Sequence, residues 1–447
     1  MTPPQRIMKE GTNIMYALIN VRMYDFDHYR EDAYILFDDK IQTIGDMCDF
    51  KDDDYDIIDG THQLVMPSLV VAHTHIYSTF ARGLSLQFHP TNFQELLDQL
   101  WWKLDAQLEL EEIYYSGLVS GVDYIKNGVT TLIDHHASGL AIKGSLNALK
   151  KAVCDDIGMR GIFCFETSDR FDTDECIKEN IDFNQAHKAK NCIGLFGLHA
   201  SMSLSDKTLE KVRETSGEIP IHIHVAESEM DQEDCLAHYG ERVVERLHRH
   251  QLLKENSILS HCIHINEEEA ELITKSGAYV ALNVTSNMNN GVGLPDYLLL
   301  NKKGIKCLIG NDGIASSITT EWLNLYYSMH LRYQSPTAFG FEPLIQIIQN
   351  NYKYVNQAMG IQIGKLKEGY DADLLMIPYI PPTPMDGNNA FGHLFFGLAN
   401  SFKPKHVWCM GKQLLKDYQV DEDLEERYKE ASEVAINLWE KVNNSDE

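Results

Sequence analysis

Two histidines one residue apart, His73-Thr74-His75, close an apolar run that begins Leu64-Val-Met-Pro-Ser-Leu-Val-Val-Ala. On an extended strand, residues two apart project to the same side, so both imidazoles can address one ion. Alone, such a pair is weak evidence, because ordinary polar histidines share the spacing. The same spacing returns in His222-Ile223-His224, followed by Val225, Ala226 and Glu227. His261 and His264 come next, and Asp312 stands within Ile309-Gly-Asn-Asp-Gly. Each group sits at the end of a β-rich segment. Three neutral imidazoles and a carboxylate, with one position left for water, suit zinc or ferrous iron; calcium and magnesium sites use oxygen donors instead. The chemistry on offer is therefore metal-assisted hydrolysis.

Residues so far apart meet only if the fold gathers them. Short β-rich segments alternate with helical ones at 64–75, 129–136, 159–167, 192–200, 219–227, 257–265, 278–286 and 305–313. Alternation of this kind implies parallel strands joined by crossovers, and eight units predict an α/β fold, a closed (β/α)8 TIM-type barrel. The carboxyl ends of such strands open onto one face, which brings the ends of strands one, five, six and eight together. Between the first two strands lies a long excursion. Asn92 and Glu95 resemble a capping box, apolar residues from Phe93 to Leu104 recur at helical spacing, and a second helix is expected over Glu111–Lys126. The pair Trp101–Trp102 is expected to pack in the core.

The chain ends belong to a second module. Residues from about 15 to 60 alternate in strand fashion with a turn at Asp38-Asp39-Lys40, and 364–375 and 406–413 read as short strands. The two halves are expected to pair in a small β-sandwich. This divides the chain into 1–63, the barrel at 64–360, and 361–447, with a loop at Ile380–Pro384. The last helix, Asp421 to Val442, carries Leu424, Tyr428, Ala431, Leu438 and Trp439 on one face and should dock on the body, fraying from Asn443 onward.

Of 447 residues, 66 are acidic and 39 basic, a formal net charge of −27. Such a field repels nucleic acid and anionic lipid, which leaves small molecules as the expected partners. No apolar stretch is long enough to span a membrane, and Met1–Tyr16 lacks the apolar core of a secretion signal. Nine scattered cysteines without paired spacing read as reduced thiols of a cytoplasmic protein.

Taken with Met66-Pro-Ser68 before His73-Thr-His75, the elements His222-Ile-His224-Val-Ala-Glu227, His261-Cys-Ile-His264 and Asn311-Asp312-Gly313 resemble the amidohydrolase superfamily, in its branch of aminohydrolases acting on heterocyclic amines. Leu100-Trp-Trp-Lys-Leu-Asp105, Asp134-His-His-Ala-Ser138, Cys164-Phe-Glu-Thr-Ser-Asp-Arg170 and Ser286-Asn-Met-Asn-Asn290 are most similar to SsnA-type aminohydrolases. The likeness covers nearly the whole chain. It implies that His73, His75, His224 and Asp312 hold one divalent ion, zinc favoured over iron. Strand parity leaves His222 and His224 equivalent, and the resemblance selects His224. It also implies that Glu227 shuttles protons, that Asp312 helps take the water proton, and that His261 orients the water or polarises the substrate. His199 and His135 are expected to contact substrate. Arg82 anchors a substrate carbonyl or carboxylate, or pairs with a surface acid. His264 is expected to pack or support, and Glu166 and Asp169 receive no role. Ser68, Asn311 and Asn289 stand where many members carry Gly, Thr and Lys. No lysine on the middle strands offers the bridge of a two-metal site. The implied reaction is deamination of a purine, pterin or related ring. Opening of a cyclic amide or loss of a chloride or alkylamine is the alternative, a non-catalytic scaffold the remoter one, and a homodimer the common assembly.

Overall fold

Strands buried on both faces read as continuous apolar runs, and the barrel strands are of this kind. The computed structural model describes residues 15–444; the expectations for the first fourteen residues and the last three lie outside the described residues. The barrel strands are Leu69–Thr74, Val129–His136, Arg160–Phe165, a fourth in two pieces (Cys192–Gly194 and Phe196–Leu198), Ile221–Val225, Ile258–His261, Tyr279–Leu282 and Lys306–Ile309. All pair in parallel with their neighbours in two arcs. The arcs meet at a bridge between Thr167 and Leu198. At the other seam the N–H groups of Asn311 and Asp312 donate to the His73 carbonyl at 3.0 and 3.2 Å, and Asn351 Nδ2 donates to both Val70 and Ile309 at 2.9 Å. The barrel is closed.

The segment 64–75, expected as one strand, is two. Gln63–Pro67 pairs antiparallel with Leu374–Pro378 in the outer sheet, whereas Leu69–Thr74 enters the barrel. Pro67 has no N–H to extend a ladder, and Ser68 turns its own N–H onto the Asp373 carbonyl at 3.0 Å. One chain segment thus carries the first two histidines out of the outer sheet and into the barrel wall.

The outer sheet orders its strands as Lys412–Leu415, His406–Cys409, Leu374–Pro378, Gln63–Pro67, Tyr16–Tyr24, Tyr29–Phe37 and Ile41–Asp46, with Asp56–Asp59 beside Tyr16–Tyr24. Flat, it would hold Phe37 and Trp408 four strands apart, roughly 19 Å at ordinary strand spacing. Their ring centroids are 5.7 Å apart. The sheet is therefore folded over on itself as a sandwich, around a core of its own that includes Leu18, Ile35, Phe37, Leu374 and Trp408. Arg160, at the start of the third barrel strand, is buried against Asp371 (2.8 Å) and Asp373 and locks the two modules together.

The final helix, Glu422–Asn444, continues past Asn443 and buries Leu424, Ala431, Val434, Leu438 and Val442. It lies along the helix Leu110–Lys126, and Trp439 Nε1 donates to the Phe80 carbonyl at 2.7 Å. All nine cysteines are free thiols, eight of them buried. Among the described residues no helix is long and apolar enough to cross a membrane.

Candidate active site

The ends of strands one, five and eight deliver His73 and His75, His224, and Asp312 to one point. Their donor atoms all lie within 4.8 Å of one another. His73 Nε2 is 2.8 Å and His75 Nε2 3.1 Å from Asp312 Oδ1, and the Nε2 atoms of His75 and His224 are 3.1 Å apart. The backbone beyond these strands is bent into the left-handed region at Ala226 (φ 46°), His261 (φ 71°), Cys262 (φ 49°) and Asp312 (φ 56°). Non-glycine residues rarely adopt it, and such strain concentrates where side chains must be aimed for function.

Whether a cation fits is decided by the protons. His75 Nδ1 lies 2.6 Å from the His135 carbonyl, and His224 Nδ1 lies 3.0 Å from the His199 carbonyl. A carbonyl only accepts, so both rings carry their proton on Nδ1 and present a lone pair at Nε2. His73 Nδ1 lies 2.8 Å from His222 Nε2, and the two nitrogens share one proton; held on His73 Nδ1, it frees the Nε2 lone pair of His73 as well. With the shared proton on His73 Nδ1 and no proton on the Nε2 atoms, three imidazole lone pairs and a carboxylate converge. A divalent ion satisfies that set, and carbonyl-held Nδ1–H groups are the usual support for metal-binding histidines. His222, the alternative on the same strand, lies below, fully buried and supporting His73.

On one side of this cluster stand Glu227 and His261. His261 Nε2 is 3.6 Å from Glu227 Oε2 and 3.9 Å from Asp312 Oδ1, and it has no hydrogen-bond partner; its Nδ1 is 2.8 Å from Asn287 Oδ1. Burial pushes the Glu227 carboxyl above its ordinary range, which suits a group that takes and gives a proton. Burial works the same way on Asp312, but His261, His73 and His75 outweigh it and hold that carboxyl well below its usual range. Ser286 Oγ donates to Asp312 Oδ2 at 2.6 Å, and Asn290 Nδ2 reaches both Ser286 Oγ (3.2 Å) and Glu227 Oε1 (3.3 Å).

The cluster floors a cavity that opens to solvent, with about 770 Å³ of space counting its open mouth. His75, His224, Glu227 and Asp312 line it, as does His199, whose imidazole burial pushes down to about 4. His135 is brought to the cluster but not to the cavity. Its ring is fully buried beneath His75 and His224, and Nε2 lies 3.0 Å from the Leu198 and 3.1 Å from the His222 carbonyl. Its expected substrate contact is corrected to a supporting position, because the wall strand turns it inward below the ligands. Arg82 is likewise not at this cavity: it points outward, 62% exposed, and pairs with Asp123 at 3.0 Å. Of the two readings for Arg82, pairing with a surface acid is the one observed. His264 Nε2 faces the Val292 carbonyl at 2.8 Å, and Asp169 accepts from Ser205 N at 2.7 Å and from Thr208 to hold a helix start.

The aromatic pair departs from its expectation. Trp101 and Trp102 both line the cavity, because the excursion between the first two strands folds over the barrel mouth, and Trp101 packs against the core as well. A π-helical stretch, Leu97–Trp101, shifts the helical register just before Trp102. Arg170 stacks over Trp102 at 4.5 Å while bonding both oxygens of Asp105 at 2.7 Å. Glu166, without a role in the sequence reading, is buried in the same wall. The motif Cys164–Arg170 contained both residues, yet nothing in its spacing distinguishes a cavity carboxylate from a core ion pair.

The chain is similar to proteins of known activity and structure. A 5'-deoxyadenosine deaminase of Methanopyrus kandleri is 25% identical over 422 residues, covering 91% of this chain and 94% of its own. A 5-methylthioadenosine/S-adenosylhomocysteine deaminase of Caldanaerobacter subterraneus subsp. tengcongensis is 26% identical, over 95% of this chain and 98% of its own. The zinc-bound structure of an adenosine deaminase from Xanthomonas campestris superposes with a TM-score of 0.80 at 19% identity, covering 95% of this chain and 99% of the other, and shares the fold. The family model for amidohydrolases matches residues 64–414, from the strand that leaves the sandwich to the one that ends it. The chain belongs to the amidohydrolase family, metal-dependent hydrolases that act on C–N bonds.

Proposed function

We propose that this protein deaminates a small nitrogen heterocycle, with one zinc ion held by His73, His75, His224 and Asp312. The observation that carries the reading is the convergence of three imidazole lone pairs and a carboxylate beside an unpartnered His261 Nε2 and the carboxyl of Glu227. The relatives that deaminate adenine nucleosides support it.

When bound, the ion lowers the pKa of a coordinated water from about 15.7 towards 7. The chain's own groups do the rest. Asp312 takes the water proton, its Oδ2 steadied by Ser286. Glu227, with a raised affinity for protons, delivers one to the ring nitrogen next to the attacked carbon; Asp312, with the proton it took from water, or Glu227, reprotonated by the hydroxyl of the adduct, then protonates the amine, which leaves as ammonia. His261, when protonated on both ring nitrogens, holds Asn287 Oδ1 with Nδ1 and donates from Nε2 to the oxygen that gains charge during attack. Trp101, Trp102 and Phe93 cover the ring and exclude water.

The test is an ammonia-release screen on zinc-loaded protein over guanine, 8-oxoguanine, pterin, cytosine, adenosine and 5'-deoxyadenosine, with metal content measured on the same sample. Ammonia in stoichiometric yield from at least one ring supports the reading. Fully metallated protein that releases none from any of them overturns it.

A further inference from the structure

Glu166 follows the third barrel strand and Glu227 the fifth, so the two carboxylates flank the ligand cluster from different sides. Glu227 groups with His261 and Asp312, and Glu166 groups with His75 and His135 and with His199 and His224. Both line the cavity. The surroundings of Glu166 leave it short of donors. His135 Nδ1 is 3.4 Å away and itself unpartnered, His199 Nε2 is 3.8 Å away, and Arg170 Nη1 3.9 Å. Arg170 gives its two 2.7 Å bonds to Asp105 from Nη2, and its Nη1, without a hydrogen-bond partner, stops 3.9 Å short of Glu166. One guanidinium thus faces two buried carboxylates. A carboxylate accepts up to about four hydrogen bonds, and among the described residues none of these three groups approaches Glu166 closer than 3.4 Å. Acceptor capacity is directed into the space where a ring would lie.

A ring whose amino-bearing carbon sits at the cluster has one neighbouring atom towards Glu227 and one towards Glu166. Glu227 serves a nitrogen that must gain a proton. Glu166 can only accept. In a 2-amino-oxo ring, such as guanine or pterin, the amino-bearing carbon lies between an unprotonated nitrogen and a ring N–H. In a 6-aminopurine it lies between an unprotonated nitrogen and a carbon without hydrogen. Only the first edge meets both carboxylates.

Building on the deaminase reading above, we propose that Glu166 is a specificity-determining residue that accepts a hydrogen bond from a ring N–H beside the amino-bearing carbon, so that the preferred substrates are 2-amino-oxo heterocycles rather than 6-aminopurines. A site built to bond a donor rejects the analogue that lacks it by a large factor, while a carboxylate that merely balances Arg170 treats both analogues alike.

The experiment compares guanine with 1-methylguanine, in which the ring N–H is blocked, on zinc-loaded wild type, Glu166→Gln and Glu166→Ala. Turnover is read as kcat/KM and affinity by equilibrium titration, which requires no turnover. The wild type is expected to favour guanine over 1-methylguanine by about 100-fold or more and guanine over adenosine by a similar factor. Glu166→Ala is expected to bring the guanine to 1-methylguanine ratio within about tenfold, and Glu166→Gln, which keeps a neutral acceptor, to fall between. Unfolding temperature and zinc content identify a variant that fails to fold. Equal affinity of the wild type for the two guanines, an unchanged ratio in folded Glu166→Ala, or turnover of adenosine without guanine or pterin overturns the proposal while leaving the deaminase reading standing. So does a second ion per chain that Glu166→Gln removes.

Discussion

Ser286 Oγ donates a 2.6 Å hydrogen bond to Asp312 Oδ2 and thereby leaves Oδ1 free to face His73 at 2.8 Å and His75 at 3.1 Å. One hydroxyl fixes which oxygen of the carboxylate meets the imidazole lone pairs. Asn290 extends the link by bonding Ser286 and Glu227 together. One proposed ligand, Asp312, and the proposed proton carrier, Glu227, are thus held by one helix, Val284–Asn290.

Ser286→Ala should therefore weaken metal binding without removing a ligand. Groups that orient a ligand are worth about 10- to 100-fold in metal affinity. Competition against a chromophoric chelator reads this directly. Affinity equal to the wild type would show that Asp312 is held by its left-handed backbone alone.

Glu227→Gln separates proton transfer from metal binding. The amide keeps the volume and the contact with Asn290 but cannot carry the proton. The zinc content should match the wild type, with turnover lower by about 10²- to 10⁴-fold. Near-normal turnover removes Glu227 from the mechanism.

The convergence of His73, His75, His224 and Asp312 was legible in the sequence because strand parity and barrel topology act on chemistry-bearing residue types. His73 and His75 must share a side, and strand ends must share a face. His222 and His224 show where that logic stops, since parity cannot rank two residues on one side; only the height of each ring in the barrel does, and it puts His222 under His73. The cavity side of Trp101 and Trp102 was missed for a related reason. Helical periodicity gives a face but not what that face meets, and here it meets a cavity because the excursion crosses the barrel mouth. Glu166 and Asp105 were left without a role because a buried ion pair and a cavity wall carry the same residue types. The break at Ser68 was hidden by uniform hydrophobicity: the strands on both sides are buried, and one continuous run serves two sheets.

Gly310 tests how closely the eighth strand must approach the first. A Cβ there would lie 2.6 Å from the His73 carbonyl, 2.8 Å from His73 Cβ and 2.6 Å from Asn283 Oδ1. The His73 backbone has little room to yield, since its carbonyl already receives the N–H groups of Asn311 and Asp312. Gly310→Ala should cost about 1–3 kcal/mol, as forced overpacking does, and lower the zinc content with it. At Gly340 a Cβ meets nothing within 4 Å, so Gly340→Ala should leave the zinc content unchanged. Thermal unfolding with metal analysis checks both. An unchanged unfolding temperature for Gly310→Ala would mean that the seam is looser than its hydrogen bonds indicate.

Removing the ion should destabilise the fold itself, not only silence the enzyme. Without a cation, the Nε2 atoms of His75 and His224 stand 3.1 Å apart and His75 Nε2 lies 3.1 Å from an Asp312 oxygen, so a proton can bridge only one pair at a time. A divalent ion would engage all four groups at once, and an unfolded chain does not gather them. A ligand bound only by the folded state stabilises it by about 2.7 kcal/mol at a free concentration one hundred times its Kd. Protein dialysed against a strong chelator should unfold at a lower temperature, and zinc should raise that temperature again, with a continuing increase as free zinc rises above the Kd. In His73→Ala the zinc-dependent increase should be much smaller. If the unfolding temperature of the wild type is the same in chelator and in excess zinc, the four side chains do not bind the ion as a set, and the hydrolytic mechanism built on them fails with it.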